Sequence, residues 1–226
     1  MKRSKKYEAA LKLVDQNKQY APADAFALVP QTSATKFDAG VEVHIRLGID
    51  PKKAEQMVRG SVVLPHGTGK KKRIAVFCEE KDQAAAKAAG ADLVGGEELI
   101  KEIKTTNVID FDIAVATPAI MKSMGPIAKI LGPKGLMPNP RNETVTPKIA
   151  EAVKALSGGK ITFRNDDTGN IHQLIGRVSF GSEKLLQNYE AFLDAIRRVK
   201  PNTVKGSYLQ NITISSSMGP GIHVKA

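Results

Sequence analysis

The central third of the chain alternates short apolar runs with helical segments, and this pattern limits the possible folds more than any other feature. An apolar run at 73–77 is followed by an alanine-rich segment and by Gly90, which is typical of a strand, a helix and a helix stop. A second strand ends near Gly95, a second helix covers 97–104 and a third, buried strand covers 111–116. Strands that alternate with helices predict a parallel sheet with right-handed crossovers.

The segment after these strands contains many helix breakers. Residues 118–131 are predicted to be helical in two pieces, because Gly125 and Pro126 interrupt them. A loop rich in glycine and proline covers 132–140, and a last helix is predicted at 148–156.

The two flanks of the chain have a different pattern. Residues 37–47 alternate apolar and polar side chains, as a half-buried strand does. Further strands are predicted at 160–164, 173–180, 207–216 and 222–225, and helices at 4–17, 22–29 and 182–199. The turn residues 165–170 separate two of these strands and predict a hairpin. Together the flanks are expected to form an antiparallel sheet with helices.

These patterns predict a two-domain protein of mixed α+β and α/β class. The outer domain is split, and it combines 1–67 with 160–226 in a sandwich-like α+β fold with an antiparallel sheet. Residues 68–159 form an inserted domain with a parallel βαβ sheet. The alternative is one continuous α/β domain with ordinary loops.

Glycines occur at both joins between the predicted domains. The joins lie near 65–69 and near 157–160, and two adjacent connections of this kind make a natural hinge. The predicted hinge residues are Gly67, Gly69, Gly158 and Gly159.

The charge of the chain points to a polyanionic partner. Lysine and arginine number 34 against 23 acidic residues, which gives a net charge of +11, and such a surplus favours nucleic acid. Residues 68–159 carry only +3 of it, so the outer domain is the expected main contact. Aromatic residues make up only 5% of the chain, so recognition of a folded RNA by backbone and shape is favoured over an aromatic stacking platform.

No arrangement of residues in the sequence supports catalysis or metal binding. The single Cys78 ends a predicted buried strand, and the four histidines include no closely spaced ligand pair. Residues 67–70 lack the spacing of a phosphate-binding loop. We therefore expect no enzyme, no metal, no cofactor and no small-molecule substrate. The alternative is an enzyme that acts on nucleotides or phosphate esters, and it would require such a loop.

Nothing in the sequence is typical of a membrane or secreted protein. No apolar run approaches the length of a membrane-spanning helix. The basic residues 1–6 are followed by a charged amphipathic segment at 7–19 instead of an apolar core, so a cytoplasmic location is expected.

Two segments have the slim polar surface that close contact with an RNA backbone requires. Residues 214–221 combine serines, glycines and a flexible methionine, and a hydroxyl group both donates and accepts hydrogen bonds, as the ribose 2′-hydroxyl does. Residues 35–38 precede the first strand of the outer domain, which includes Glu42. The alternatives are an ordinary strand-to-turn segment in the first case and a loop anchored in the core by Phe37 in the second.

Ten short motifs occur in an order that is characteristic of one protein family. The most specific covers 130–140, with the sequence Ile-Leu-Gly-Pro-Lys-Gly-Leu-Met-Pro-Asn-Pro. The others lie at 35–38, 41–44, 47–51, 58–60, 64–67, 90–92, 95–98, 163–166 and 217–220. In these motifs the chain resembles the bacterial family of large-subunit ribosomal protein L-one.

The resemblance implies a fold and a function. The fold would be a split α+β domain, an inserted Rossmann-like domain and a hinge between them. The outer domain would bind large-subunit rRNA to form a mobile stalk of the large ribosomal subunit, which assists release of deacylated tRNA from the exit site. Bacterial members also bind their own operon mRNA and repress its translation. An RNA-binding regulator that acts away from the ribosome is the alternative, because both RNAs would use the same surface.

The resemblance also implies which residues contact RNA. In the outer domain these are Lys36, Phe37, Glu42, Arg164, His172, Ser215, Ser217, Met218 and Gly219, and Lys134 supplies a secondary contact from the inserted domain. Two positions depart from the family pattern. Gly40 replaces a residue that usually carries a hydroxyl group, and the serines at 215–217 replace a run of threonines.

Overall fold

The computed structural model describes residues 4–70, 72–140 and 143–225. The chain divides into two units, of which Met1–Gly69 with Ile161–Ala226 form one and Lys70–Lys160 the other. We call them the outer unit and the inserted unit. Residues 1–3 of the basic N-terminus and Lys71 of the lysine run lie outside the described residues.

A four-stranded antiparallel sheet forms the centre of the outer unit, as the flanking patterns predict. Its strands are β1 (Gly40–Leu47), β7 (Asn170–Arg177), β8 (Leu209–Ser216) and β9 (Ile222–Val224). Their order in the sheet is β7-β1-β8-β9, and every neighbouring pair is antiparallel. The helices of this unit are α1 (Lys5–Lys12), α2 (Pro22–Thr32) and α7 (Gly181–Arg198).

One face of this sheet is covered by α2 and α7 and forms the core of the outer unit. Val43 and Ile45 of β1 are fully buried, because alternate residues of a strand point to the same face. They belong to one cluster with Phe26 of α2 and with Tyr189 and Phe192 of α7. The rings of Phe26 and Tyr189 meet edge to face at 5.3 Å. The opposite face of the sheet is left for polar side chains.

The hairpin predicted around 165–170 is wrong, although the turn itself is present. β6 (Lys160–Arg164) pairs with β2 (Arg59–Val63) in a separate two-stranded sheet, whereas β7 pairs with β1. The Asp166 carboxylate accepts hydrogen bonds from the backbone N–H groups two and four residues later. These bonds close the turn locally and do not align the strands on either side of it. β2 was not predicted, because its residues are partly exposed and do not alternate.

α1 is shorter than the helix predicted at 4–17, because it ends at Lys12. The backbone N–H of Asp15 donates to the Tyr20 hydroxyl at 2.9 Å, and the Asp15 carboxylate accepts from the Asn17 backbone at 3.0 Å. These bonds give the backbone polar groups partners outside a helix.

The inserted unit contains a three-stranded parallel sheet, which confirms the prediction from the alternating pattern. Its strands are β3 (Ile74–Phe77), β4 (Leu93–Gly95) and β5 (Ile113–Ala116), in the order β4-β3-β5. Its helices are α3 (Glu80–Ala88), α4 (Glu97–Thr106), α5 (Gly125–Leu131) and α6 (Ile149–Ser157). A 3-10 turn at Ile120–Lys122 replaces the first of the two predicted helical pieces, and α5 begins at Gly125 instead of breaking there.

Both faces of the inserted sheet are buried, which explains its continuous apolar strands. Ala75 and Phe77 of β3 belong to a cluster with residues of α4 and α5. Ile74 and Val76 belong to a second cluster with residues of α3 and α6. The inserted unit therefore has its own core, and none of these residues belongs to the core cluster of the outer unit.

Candidate nucleic-acid interface

The exposed face of the outer sheet carries the polar half of the β1 alternation. Glu42 and Arg46 are exposed and His44 is half-buried, whereas the residues between them are buried. The register of β8 places Ser215 opposite Glu42 and Thr213 opposite His44, so these hydroxyl groups share the same face. We call this surface the polar face.

One row of the polar face crosses all four strands. His44 lies opposite His172 on one side and opposite Thr213 on the other, and Thr213 lies opposite His223. The Nδ1 atoms of His44 and His172 are 2.9 Å apart, although 128 positions separate the two residues in the sequence. The Thr213 hydroxyl oxygen is 3.2 Å from Nδ1 of His223.

His44 links two predicted RNA contacts, Ser215 and His172. Its Nε2 lies 3.2 Å from the Ser215 hydroxyl and 3.9 Å from the Glu42 carboxylate. The hydrogen bond between the two Nδ1 atoms requires one of them to carry a proton and the other to lack one. Burial and, secondly, the charge of His172 lower the pKa of His44, and Glu42 partly opposes them. A neutral His44 therefore holds both neighbours in one hydrogen-bonded group.

The turn between β8 and β9 presents Met218 to solvent. The Gly219 N–H donates to the Ser216 carbonyl at 2.8 Å and closes a four-residue turn. Met218 is its third residue and has a φ of +64°, a conformation that glycine usually takes at this position. The Met218 side chain is 81% exposed, so packing does not require this conformation. Backbone strain of this kind is typical of functional positions.

Two glycines leave room for neighbouring side chains, one in the turn and one at the start of β1. A Cβ atom at Gly219 would collide with the Ser216 hydroxyl oxygen. The Ser217 N–H donates to the Gly40 carbonyl at 2.8 Å. A Cβ atom at Gly40 would lie 2.8 Å from Cδ1 of Leu174, so the hydroxyl-bearing residue typical of the family would need this flexible side chain to move.

The loop before β1 is held by hydrogen bonds and leaves the side chains of Lys36 and Phe37 exposed. The Thr35 hydroxyl donates to the Phe37 carbonyl at 3.1 Å. The Asp38 carboxylate accepts from the Ser179 backbone N–H at 3.1 Å and from the Ser179 hydroxyl at 2.8 Å. Phe37 is 62% exposed. The alternative in which Phe37 anchors this loop in the core is therefore wrong.

Phe37 and Met218 line the same cavity, which has a volume of about 570 Å³ and is open to solvent. Lys36 also lines it, and Tyr7 contributes from α1. The fold thus brings three predicted contacts, from opposite ends of the chain, to one place.

Two predicted contacts lie neither on the polar face nor at the cavity or its turn. Arg164 is exposed at the end of β6, in the two-stranded sheet. Lys134 is exposed in the inserted unit. Ser217 and Gly219 flank Met218 in the turn but do not line the cavity.

The four predicted hinge glycines differ in backbone conformation. Gly67, Gly69 and Gly159 have φ values of +63°, +71° and +99°, in the region that favours glycine. Gly158 has a φ of −73°, which any residue can adopt. The Gly67 carbonyl accepts a hydrogen bond of 2.9 Å from the Asn188 side chain, so the outer-unit end of this join is held against α7.

Sequence reasoning missed two residues of the candidate interface, His44 and Tyr7. The alternation of β1 places His44 on the polar face, but its contact with His172 depends on the register between β1 and β7. Tyr7 was predicted only as a residue of the helix at 4–17. Its position at the cavity depends on how α1 lies beside the loop before β1.

In the described parts of the chain, no group of three or more His, Cys, Asp or Glu residues could hold a metal ion. The helices within those same ranges include none that is long and apolar enough to cross a bilayer. Cys78 is fully buried, and burial raises the pKa of its thiol, which disfavours the reactive thiolate.

The fold defines a class of protein in which a split α+β unit with an antiparallel sheet carries an inserted parallel α/β unit. The sequence model of the ribosomal protein L1p/L10e family matches residues 29–220. The chain belongs to this family, and the resemblance found in its motifs is confirmed.

Individual relatives match over almost their entire length. The large ribosomal subunit protein uL1 of Corynebacterium aurimucosum is 54% identical over 224 residues, which cover 99% of this chain and 95% of the relative. Proteins of the same name from Cutibacterium acnes and Mycoplasma capricolum are 54% and 55% identical, and the matches cover 99% and 98% of this chain and 96% and 98% of the relatives. These relatives are ribosomal proteins, which supports the expectation that the chain is not an enzyme.

Proposed function

We propose that the chain is a structural component of the large ribosomal subunit and that its outer unit binds large-subunit rRNA. The observation that carries this proposal is the meeting of Lys36, Phe37 and Met218 around one exposed cavity, in a chain whose relatives are named large-subunit proteins. Lysine and arginine side chains supply attraction to phosphate groups, which weakens with salt. Ser215 and Ser217 supply hydroxyl groups for hydrogen bonds to a folded RNA backbone.

The remaining predicted contacts extend the proposed interface. Glu42 and His172 lie on the polar face beside Ser215, and Gly219 follows Met218 in the turn, where its missing Cβ leaves room for the Ser216 hydroxyl group. Arg164 and Lys134 are exposed cations that would bind phosphate groups outside this face, Lys134 as a secondary contact of the inserted unit.

The proposal includes a role in translation. Bound to rRNA, the two units would form a mobile stalk that assists release of deacylated tRNA from the exit site, with the glycine-bearing joins as the hinge. The same outer surface would bind the operon mRNA of the protein and repress its translation, because an mRNA site that imitates the rRNA site offers the same backbone. The protein would act in the cytoplasm on the ribosome, without a cofactor or a small-molecule substrate.

The test is a titration against fragments of large-subunit rRNA over a series of salt concentrations, with tRNA and duplex DNA as competitors. Wild type should bind one fragment tightly in the presence of competitor. The Met218→Asp variant should bind that fragment at least about tenfold more weakly, because it places an unpaired negative charge against the RNA backbone. Val63→Asp is the matched control, since Val63 is 51% exposed on β2 and lies away from the cavity.

Two outcomes would contradict the proposal. Equal loss in both aspartate variants would mean that only the net charge matters, and equal affinity of Met218→Asp and wild type would mean that the surface is assigned wrongly. Sedimentation with large ribosomal subunits distinguishes a ribosomal protein from the alternative, an RNA-binding regulator. A regulator that acts away from the ribosome would bind the mRNA site but would not sediment with the subunit.

A further inference from the structure

The open cavity lined by Phe37 and Met218 has the size of a ligand site. Its volume of about 570 Å³ falls within the range of about 300–1,000 Å³ that is typical of clefts for small molecules. The walls come from three separate parts of the outer unit, which are α1, the loop before β1 and the turn after β8. Its lining includes Lys6, Tyr7, Lys36, Phe37 and Met218.

The walls combine flat apolar surface with positive charge. Tyr7 is half-buried, whereas Phe37 and Met218 expose most of their side chains. Lys6 and Lys36 are both exposed at the same cavity. Among the described residues that line it there is no carboxylate. Aromatic and thioether surface with two ammonium groups is complementary to a nucleotide, whose base stacks on a flat ring and whose phosphate pairs with a cation.

The nucleotide must be unpaired to enter. Bases inside a duplex are stacked on their neighbours, and proteins that contact RNA base surfaces therefore use loops, bulges and ends. Phe37 and Met218, two residues of the proposed RNA-binding surface, line the cavity, so an RNA bound at these residues lies at its opening.

We propose that this cavity holds one unpaired nucleotide of the bound RNA, with its base against Tyr7 and Phe37 and its phosphate beside Lys6 and Lys36. The inference rests on the proposed function and deepens it, because it adds recognition of a single extruded base to recognition of backbone and shape. It also assigns α1, which lies outside the motifs of the family resemblance, a direct part in RNA binding.

The experiment uses the full chain and the rRNA fragment that wild type binds most tightly, together with copies of that fragment that lack the base at one unpaired position each. Tyr7→Leu keeps an apolar residue of good helix propensity but removes the ring, and Tyr7→Phe keeps the ring. We expect Tyr7→Leu to bind the intact fragment about tenfold more weakly and Tyr7→Phe to bind it within about twofold of wild type.

The decisive comparison is a double-mutant cycle. For one abasic position, wild type should lose about as much affinity, relative to the intact fragment, as Tyr7→Leu loses on the intact fragment. Tyr7→Leu should lose little further affinity on that abasic fragment, so the two losses should not add. Additive losses at every position, or full affinity of Tyr7→Leu, would overturn the inference. Absence of specific rRNA binding by wild type would instead reject the proposed function itself.

A second pair of variants keeps the test valid if Tyr7→Leu loses α1, which thermal unfolding and circular dichroism would reveal. Lys6→Gln removes a cation that lines the cavity, whereas Lys5→Gln removes its neighbour on the same helix, which does not line it. We expect Lys6→Gln to weaken binding several-fold more than Lys5→Gln. Equal effects of the two variants would overturn the placement of the phosphate.

Discussion

At the scale of single residues, Met218 shows how a binding surface differs from a packed one. Its left-handed backbone is disfavoured for a side chain with a Cβ atom by about 1–2 kcal/mol, and its exposed side chain recovers little of this by burial. The neighbouring Gly219 cannot be replaced by a larger residue unless Ser216 moves, because a Cβ atom there would collide with the Ser216 hydroxyl oxygen. The turn therefore needs glycine at one position and keeps methionine at the other.

Met218→Gly should stabilise the protein and weaken RNA binding at the same time. Glycine adopts a φ of +64° without strain, so the free energy of unfolding should rise by up to about 1 kcal/mol, less the entropy that glycine adds to the unfolded chain. Denaturant unfolding measures the first effect and RNA titration the second. Destabilisation by more than about 1 kcal/mol, the largest entropic cost expected for glycine, would show that the Met218 side chain contributes to packing.

At the scale of elements, the register of the outer sheet creates the histidine row. Each of His44, His172 and His223 lies on a different strand, and the pairing of β1 with β7 and β8, together with that of β8 with β9, gives them their present neighbours. The loop before β1 is also positioned by tertiary contacts, because the Asp38 carboxylate accepts hydrogen bonds from Ser179, which is far away in the sequence.

The histidine row predicts that the protein loses stability in mild acid. Because the pKa of His44 is lowered in the folded state, the unfolded chain binds the proton first as the pH falls through about 6.5. The contribution of His44 to stability is therefore complete above this pH and declines below it. His44→Gln should make the melting temperature less dependent on pH between about 7.5 and 5.

The control for this prediction is His223→Gln, which lies in the same row but contacts Thr213 instead of a second histidine. Melting temperatures of wild type and both variants over this pH range provide the comparison. The same pH dependence in wild type and His44→Gln would show that other groups cause the loss of stability in acid.

At the scale of the whole molecule, each unit has a core of its own. Among the described residues, the apolar cluster of the outer unit consists of residues before Gly67 and after Lys160, and both clusters of the inserted unit lie between them. The net charge is concentrated in the same two flanks, which carry most of the +11. The candidate interface at Phe37 and Met218 lies entirely in the outer unit.

We therefore expect the outer unit to fold and bind RNA without the inserted unit. A chain in which a short glycine–serine linker replaces 70–160 should unfold cooperatively and bind the rRNA fragment within about tenfold of the full protein. Calorimetry and the salt-series titration measure the two properties. A variant that folds but has lost specific binding would show that the inserted unit supplies a main contact and not a secondary one.

Much of the fold followed from local patterns, because each pattern has a local physical cause. The alternation of β1 reflects one buried face, and the continuous apolar run of β3 reflects two, so both strands were predicted close to their observed bounds. The hairpin predicted at 165–170 is wrong and β2 was missed, because strand pairing is not determined by the local pattern. A local turn signal does not say which strands become neighbours, and a partly exposed strand has no distinct pattern.

The sequence by itself determined the fold class, the basic character of the flanks and, through its motifs, the family and the residues Phe37 and Met218 as candidates. Only the tertiary structure decided that these two side chains meet Tyr7 at one cavity and that His44 contacts His172. The physical reason is that the conformation a segment favours, and the face on which its apolar residues lie, are set by its own side chains. Contacts between distant segments depend on strand register and helix placement, which the packing of the whole unit selects.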